Sequence, residues 1–158
     1  MDIWLPAAEQ AARDQAGVNF AGNYTLGSRD SESLVVVSLH PDEPALMLSA
    51  MVSNGTDVLE LLRGSANLGG EQGEARMWFY PMGLVAGSDC RRKIAFRGVA
   101  GLAGRSAAEN CGSWAEGDRL RWGNYPVDEL VFETGVDGRA RAVEVPVLGM
   151  TLKRVGQV

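Results

Sequence analysis

His40 is the single histidine in 158 residues, so any Ser-His-Asp relay would have to pass through it. It stands in His40-Pro41-Asp42-Glu43-Pro44, where two prolines and two acids read as a surface turn between strands. Histidine-rich metal sites fall by count, and two cysteines, Cys90 and Cys111, do not make a zinc site. No G-x-G-x-x-G or Walker-type loop opens a helix, so neither a nucleotide nor any other cofactor is expected. What remains is chemistry done by hydrogen bonding, charge and shape.

Arginine and the aromatic residues carry that chemistry. Trp78 and Tyr80 share one face of the strand Ala75–Tyr80 with Arg76, while Met77 and Phe79 share the other. An indole, a phenol and a guanidinium on one face would line an apolar pocket with a few polar groups; on the opposite assignment, Met77 and Phe79 face the interior. Arg97 alternates with Ala95 and Val99, so it either binds a carbonyl or carboxylate inside or lies as an external cation over the wall. Trp114, Trp122 and Tyr125 cluster around Gly117 and read as ligand wall or as core. Glu129 and Glu133 flank Val131, and they are solvated if Leu130 and Phe132 form the core pair.

These side chains need a scaffold, and the punctuation of the chain describes one. Pro6 to Ala16 is alanine-rich, with proline near its start and Gly17 just past its end, the polarity of a helix. From Gly22 onward the chain breaks into strand-length runs: Asn23–Leu26, Ser33–Leu39, Ala45–Val52, Ala75–Tyr80, Lys93–Val99, Gly112–Ala115, Arg119–Trp122, Asp128–Thr134, Arg141–Val145 and Met150–Val155. Turn residues such as Asp137-Gly138 separate them. Asp57-Val58-Leu59-Glu60 matches a capping box and predicts one short internal helix ending at Gly64. Leu68–Gly73 and Gly98–Asn110 read as long loops of the kind that border a ligand mouth. The expected fold is all-β: an antiparallel calycin- or lipocalin-like barrel over 21–156, behind a helical segment at 1–20, as a single domain over 1–158.

Composition narrows the partners. A net charge of −5 and a pI near 4.9 leave no cationic surplus to displace counterions from a nucleic acid. No apolar run is long enough to span a bilayer, and Met1–Pro6 lacks the basic and apolar regions of a signal peptide. Neither nucleic acid nor membrane is therefore expected as a partner, and the charge says nothing positive; an open-mouthed barrel implies a hydrophobic small molecule, and an open strand edge a possible second copy. Whether Cys90 and Cys111 bridge depends on the compartment.

An ordered set of short motifs runs along nearly the whole chain. It comprises Gly22-Asn23-Tyr24-Thr25, Ser53-Asn54-Gly55-Thr56-Asp57-Val58-Leu59, Tyr80-Pro81-Met82-Gly83-Leu84, Ala95-Phe96-Arg97, Cys111-Gly112-Ser113-Trp114, Asp128–Glu133, Asp137-Gly138-Arg139-Ala140 and Leu152-Lys153-Arg154-Val155. The set resembles the C-terminal β-barrel domain of fungal serine β-lactamase-like (penicillin-binding-type) hydrolases. The catalytic half of that family carries S-x-x-K, which no serine here begins, and neither Lys93 nor Lys153 opens a K-T-G. The chain is thus not a serine β-lactamase by itself. As a stand-alone protein it is expected to be cytoplasmic; as a fragment of the larger hydrolase, secreted.

A barrel without its hydrolase directs attention to its own interior. The leading expectation is a cofactor-independent cyclase or isomerase, of the pericyclase (Diels-Alder) type, acting on a hydrophobic secondary metabolite. Holding a flexible chain near its attack geometry contributes up to roughly 7–11 kcal/mol. Arg97 or Tyr80 would then polarise a conjugated carbonyl as the catalytic group, with Trp78, Trp114, Trp122 and Tyr125 binding substrate. The alternatives are a non-catalytic accessory domain of the hydrolase and a protein that only sequesters a ligand.

Overall fold

The computed structural model describes residues 4–26, 33–41, 45–60, 75–88, 91–102 and 121–156. In chain order these form a helix α1 (Trp4–Asn19) and the strands β1 (Gly22–Thr25), β2 (Leu34–Leu39), β3 (Leu46–Ser53), β4 (Thr56–Asp57), β5 (Ala75–Ser88) and β6 (Arg91–Leu102). β7 (Arg121–Trp122), β8 (Tyr125–Pro126), β9 (Glu129–Thr134), β10 (Ala140–Val145) and β11 (Met150–Gly156) follow, with a 3-10 turn at Pro146–Leu148. The expected strand Gly112–Ala115 and the loop Leu68–Gly73 lie outside the described residues.

Among the described residues, eight strands close on themselves in the order β1-β2-β3-β5-β6-β9-β10-β11, with β11 returning to β1. Every pairing is antiparallel. The ring is barrel-like, as expected, and its weakest seam is β3–β5, which pairs only Leu46 with Phe79 and Met47 with Trp78. Alternation fills the centre. Tyr24, Val35, Val37, Leu46, Leu48, Phe79, Phe96, Leu130, Phe132, Val143, Val145 and Leu152 are all buried there, drawn from every strand of the ring. Their outward neighbours carry cross-strand ion pairs such as Arg91–Glu133 at 2.6 Å and Lys93–Glu144 at 2.8 Å. Glu133 is therefore on the solvent side, as the pairing of Leu130 with Phe132 requires.

Four rings lock the middle. Phe132 lies 5.2 Å from Phe20, 5.1 Å from Phe96 and 5.8 Å from Tyr24, and Phe20 lies 5.0 Å from Phe96. All four pairs are edge-on or tilted, the arrangement that ring quadrupoles favour. The Tyr24 hydroxyl donates to the Phe20 carbonyl at 2.6 Å, which fixes the chain where it leaves α1. Arg154, opposite Tyr24 on β11, donates to the carbonyls of Asn19, Ala21 and Ala140. It thereby ties the helix end to the ring and supplies positive charge where helix carbonyls lack partners.

Burial pushes the Tyr24 phenol up from 10.0 to about 12, with the Arg154 charge pulling weakly the other way. The folded chain thus prefers the neutral phenol, and this contribution is complete below pH 10 and lost as pH rises from 10 through about 12. Tyr24→Phe is expected to cost about 1 kcal/mol at neutral pH and to flatten the alkaline decline. Denaturant unfolding of both proteins across that range checks the slope.

Four local readings change in the fold. Gly17 does not end the helix; α1 runs through it to Asn19. A Cβ at Gly17 would meet Leu39 Cδ1 at 2.7 Å, so the glycine serves close packing of α1 on β2. β5 does not stop at Tyr80 but continues through Pro81, with a register shift between Pro81 and Val85. Among the described residues β5 pairs with β3 no further than Phe79. His40 is buried rather than a surface turn residue. Its N–H donates to the Ala45 carbonyl at 2.9 Å, and its ring meets Trp78 edge-on at 5.7 Å. β6 also reaches Leu102, which shortens the loop expected from Gly98.

Two turn readings hold. Asn54 and Gly55 both take positive φ, 49° and 76°, the type I′ geometry that joins paired strands. Asp57 Oδ1 accepts the Glu60 N–H at 2.9 Å, and residues 58–60 are helical, which is the start of the capped helix.

Candidate functional site

Two places gather polar and aromatic side chains. The first is the outer face of β5 and β6. Phe79 and Phe96 belong to the core, so their neighbours Trp78, Tyr80 and Arg97 project from the other side of the sheet. Tyr80 stands directly opposite Arg97 in the β5–β6 register, and Arg97 opposite Glu129 across β6–β9. The structure thus brings the expected catalytic pair together, but outside the ring. Arg97 Nε donates to Asp128 Oδ2 at 3.2 Å, and the Asp128 side chain is 5% exposed. Asp128 also holds β6 through its backbone, its carbonyl accepting the Gly98 N–H.

Trp78 is buried on that same outer face, 4% exposed. Its Nε1 and Asp128 Oδ1 are buried without a hydrogen-bond partner among the described residues. Tyr125, on the β7–β8 hairpin, is 57% exposed. Trp114 and the side chain of Trp122 lie outside the described residues, as do Cys90 and Cys111.

The second place is a cavity of about 430 Å³ at one end of the ring, beneath the C-terminal half of α1. Ala12, Gln15, Ala16 and Asn19 line it from the helix, at the spacing that puts all four on one helical face. Arg92, Ile94 and Phe96 line it from β6, at the spacing that puts all three on one strand face. Phe20, Leu46 and Phe79 supply apolar surface from the core, Thr134 comes from the end of β9, and Gly135, Val136 and Gly138 come from the turn between β9 and β10. That turn is held by the Gly135 N–H on the Arg139 carbonyl, the Gly138 N–H on the Gly135 carbonyl and the Arg139 N–H on Asp137 Oδ1. Arg141 adds a 2.9 Å ion pair to Asp137.

The volume is of the size that holds a small molecule, about 300–1,000 Å³, and the lining is mostly apolar. Among the described residues, none of those expected to contact substrate lines it. Those that do were not conspicuous in the sequence, because they come from a helix face, a strand start and a turn far apart in the chain. One signal was available: Arg92 keeps the parity of the core residues Ile94 and Phe96, so it begins a strand on the inward side.

Among the described residues no helix is long and apolar enough to cross a membrane. No curated protein and no solved structure matches the chain. A family model does, the one described as beta-lactamase-like-like, C-terminal domain, and it matches residues 12–156. That span takes in the cavity face of α1, the whole ring of strands and the Arg154 clamp. The chain therefore belongs to the beta-lactamase-like C-terminal domain family.

Proposed function

We propose that the chain acts as a non-catalytic accessory module that packs against the catalytic part of a serine β-lactamase-like hydrolase. The observation that carries this reading is the β5–β6 arm. Residues 81–88 are all exposed, and they include Met82, Leu84 and Val85 at 41, 60 and 60%. Apolar side chains grouped on a projecting arm mark an interaction surface, and among the described residues the edge of this arm is not paired to β3. The motif content agrees, since the chain has neither S-x-x-K nor K-T-G.

The test is immunoprecipitation of the chain from cells that make it, followed by peptide mass spectrometry. The expected result is an S-x-x-K sequence recovered on the same polypeptide or bound to it, with Leu84→Lys plus Val85→Lys releasing a bound one. Recovery of the chain free of any such sequence would overturn the reading.

A second reading, the cofactor-independent cyclase, is favoured by the end cavity. It requires that a linear precursor incubated with the purified protein give product faster than, or with different stereochemistry from, the spontaneous reaction. Identity in both respects removes it.

A further inference from the structure

We infer that Asn54 is the acceptor of an N-linked glycan when the chain is made on the secretory route. The sequence holds two Asn-x-Thr triplets, Asn23-Tyr24-Thr25 and Asn54-Gly55-Thr56, the pattern that carries such a glycan on a surface segment. Sequence alone does not separate the two, and the fold does. Asn23 and Thr25 lie on β1, which is paired with β2 on one side and β11 on the other. Tyr24, between them, is wholly buried. An enzyme that needs the triplet bent and accessible would have to open the ring to use it.

Asn54 and Gly55 instead form the tip of the β3–β4 hairpin, and Asn54, Gly55 and Thr56 are all exposed. Positive φ at both tip residues bends the chain sharply there. The Asn54 N–H donates to Ser33 Oγ at 3.1 Å, so the backbone of the tip is anchored to the ring. A bulky group added at this position displaces no packed side chain. In the transfer, Asn54 Nδ2 loses a proton and bonds to C1 of the first sugar. The bond that breaks joins that carbon to a phosphate oxygen of a lipid-linked oligosaccharide diphosphate, and the lipid diphosphate leaves.

Placement makes the glycan compatible with both surfaces described above. β3 has 8 residues, so the tip stands about 25 Å along the strand from Leu46, at roughly 3.4 Å per residue. Leu46 lines the end cavity and pairs with Phe79, beyond which β5 leads into the exposed segment 81–88. A glycan on Asn54 thus covers the opposite end of β3 and leaves the arm and the cavity mouth open. The site does not rest on the accessory-module reading, because it needs only this chain.

Expression of the full chain behind a cleavable leader in a eukaryotic secretory host tests the assignment. The expected product is a single band slower than the bacterially made protein, which a peptide:N-glycosidase returns to the faster position. Its proteolytic digest should contain one glycopeptide, the one with Asn54. Thr56→Val should abolish the shift, since it removes the hydroxyl while keeping a β-branched side chain on an exposed strand position. Thr56→Ser should keep it. Asn54→Gly should also abolish it without disturbing the turn, because glycine adopts positive φ freely. A shift that persists in both Thr56→Val and Asn54→Gly would place the sugar on Asn23 and overturn the assignment. Secreted protein with no shift at all would overturn it too.

Discussion

Phe132→Ala is expected to lower the free energy of unfolding by about 3–5 kcal/mol, the range for emptying a buried aromatic position. Phe132 is 0% exposed, and its ring touches three other rings drawn from β1, β6 and the segment after α1. The surrounding strands are tied in a closed ring and have little freedom to collapse into the space. A loss of that size is a large fraction of the roughly 5–15 kcal/mol that holds a typical domain together. For a chain of this length it corresponds to a fall in Tm of roughly 10–15 °C. Thermal and denaturant unfolding should agree on the loss. A change below about 1 kcal/mol would mean that the four rings do not form the interlocked centre. Phe132→Leu, which retains most of the apolar volume, should recover more than half the stability.

Arg97→Met carries the second large effect, and it separates two roles for one residue. In sequence this arginine reads as a polarising group for a bound carbonyl. In the structure it is paired with Asp128, whose carboxylate is almost wholly buried. Methionine keeps an apolar stem but withdraws the cation and leaves a buried carboxylate without its counter-charge. Removing one partner of such a pair is expected to cost about 3 kcal/mol, the lower end for buried pairs because Arg97 itself is 28% exposed. Adding Asp128→Asn to that variant should return at least half of the loss, since a neutral amide needs no counter-charge. Equilibrium unfolding of the two single variants and the double variant closes a thermodynamic cycle. Unchanged stability of Arg97→Met, together with slowed turnover of a substrate, would assign the residue to chemistry instead.

How far the sequence can be read depends on whether a feature is local. The Asn54-Gly55 turn and the Asp57 cap were visible because each is decided within about four residues: positive φ in the first, a side chain reaching its own helix start in the second. The strand runs were visible because alternation fixes which residues share a face. The reach of β5 past Pro81 was hidden, because a proline ends a strand only where a neighbour needs its N–H, and that depends on where the neighbouring strands lie. Gly17 misled for the same reason. It has the composition of a helix stop, yet Leu39, 22 positions further on, determines why no side chain fits there.

Sidedness set the limit on the functional site. Alternation pairs Trp78 with Tyr80 and opposes them to Phe79, but the rule is symmetric and cannot say which set faces in. Only closure of the ring decided that Phe79 and Phe96 fill the centre, so that Arg97 and Tyr80 meet on the outside. The same closure built the end cavity, by laying one face of α1 over the start of β6 and the turn after β9. Alone, then, the sequence determined the family, the strands and their turns, because these rest on neighbours along the chain. The tertiary structure decided inside from outside and where a ligand has room, because both depend on contacts between segments that the chain holds far apart.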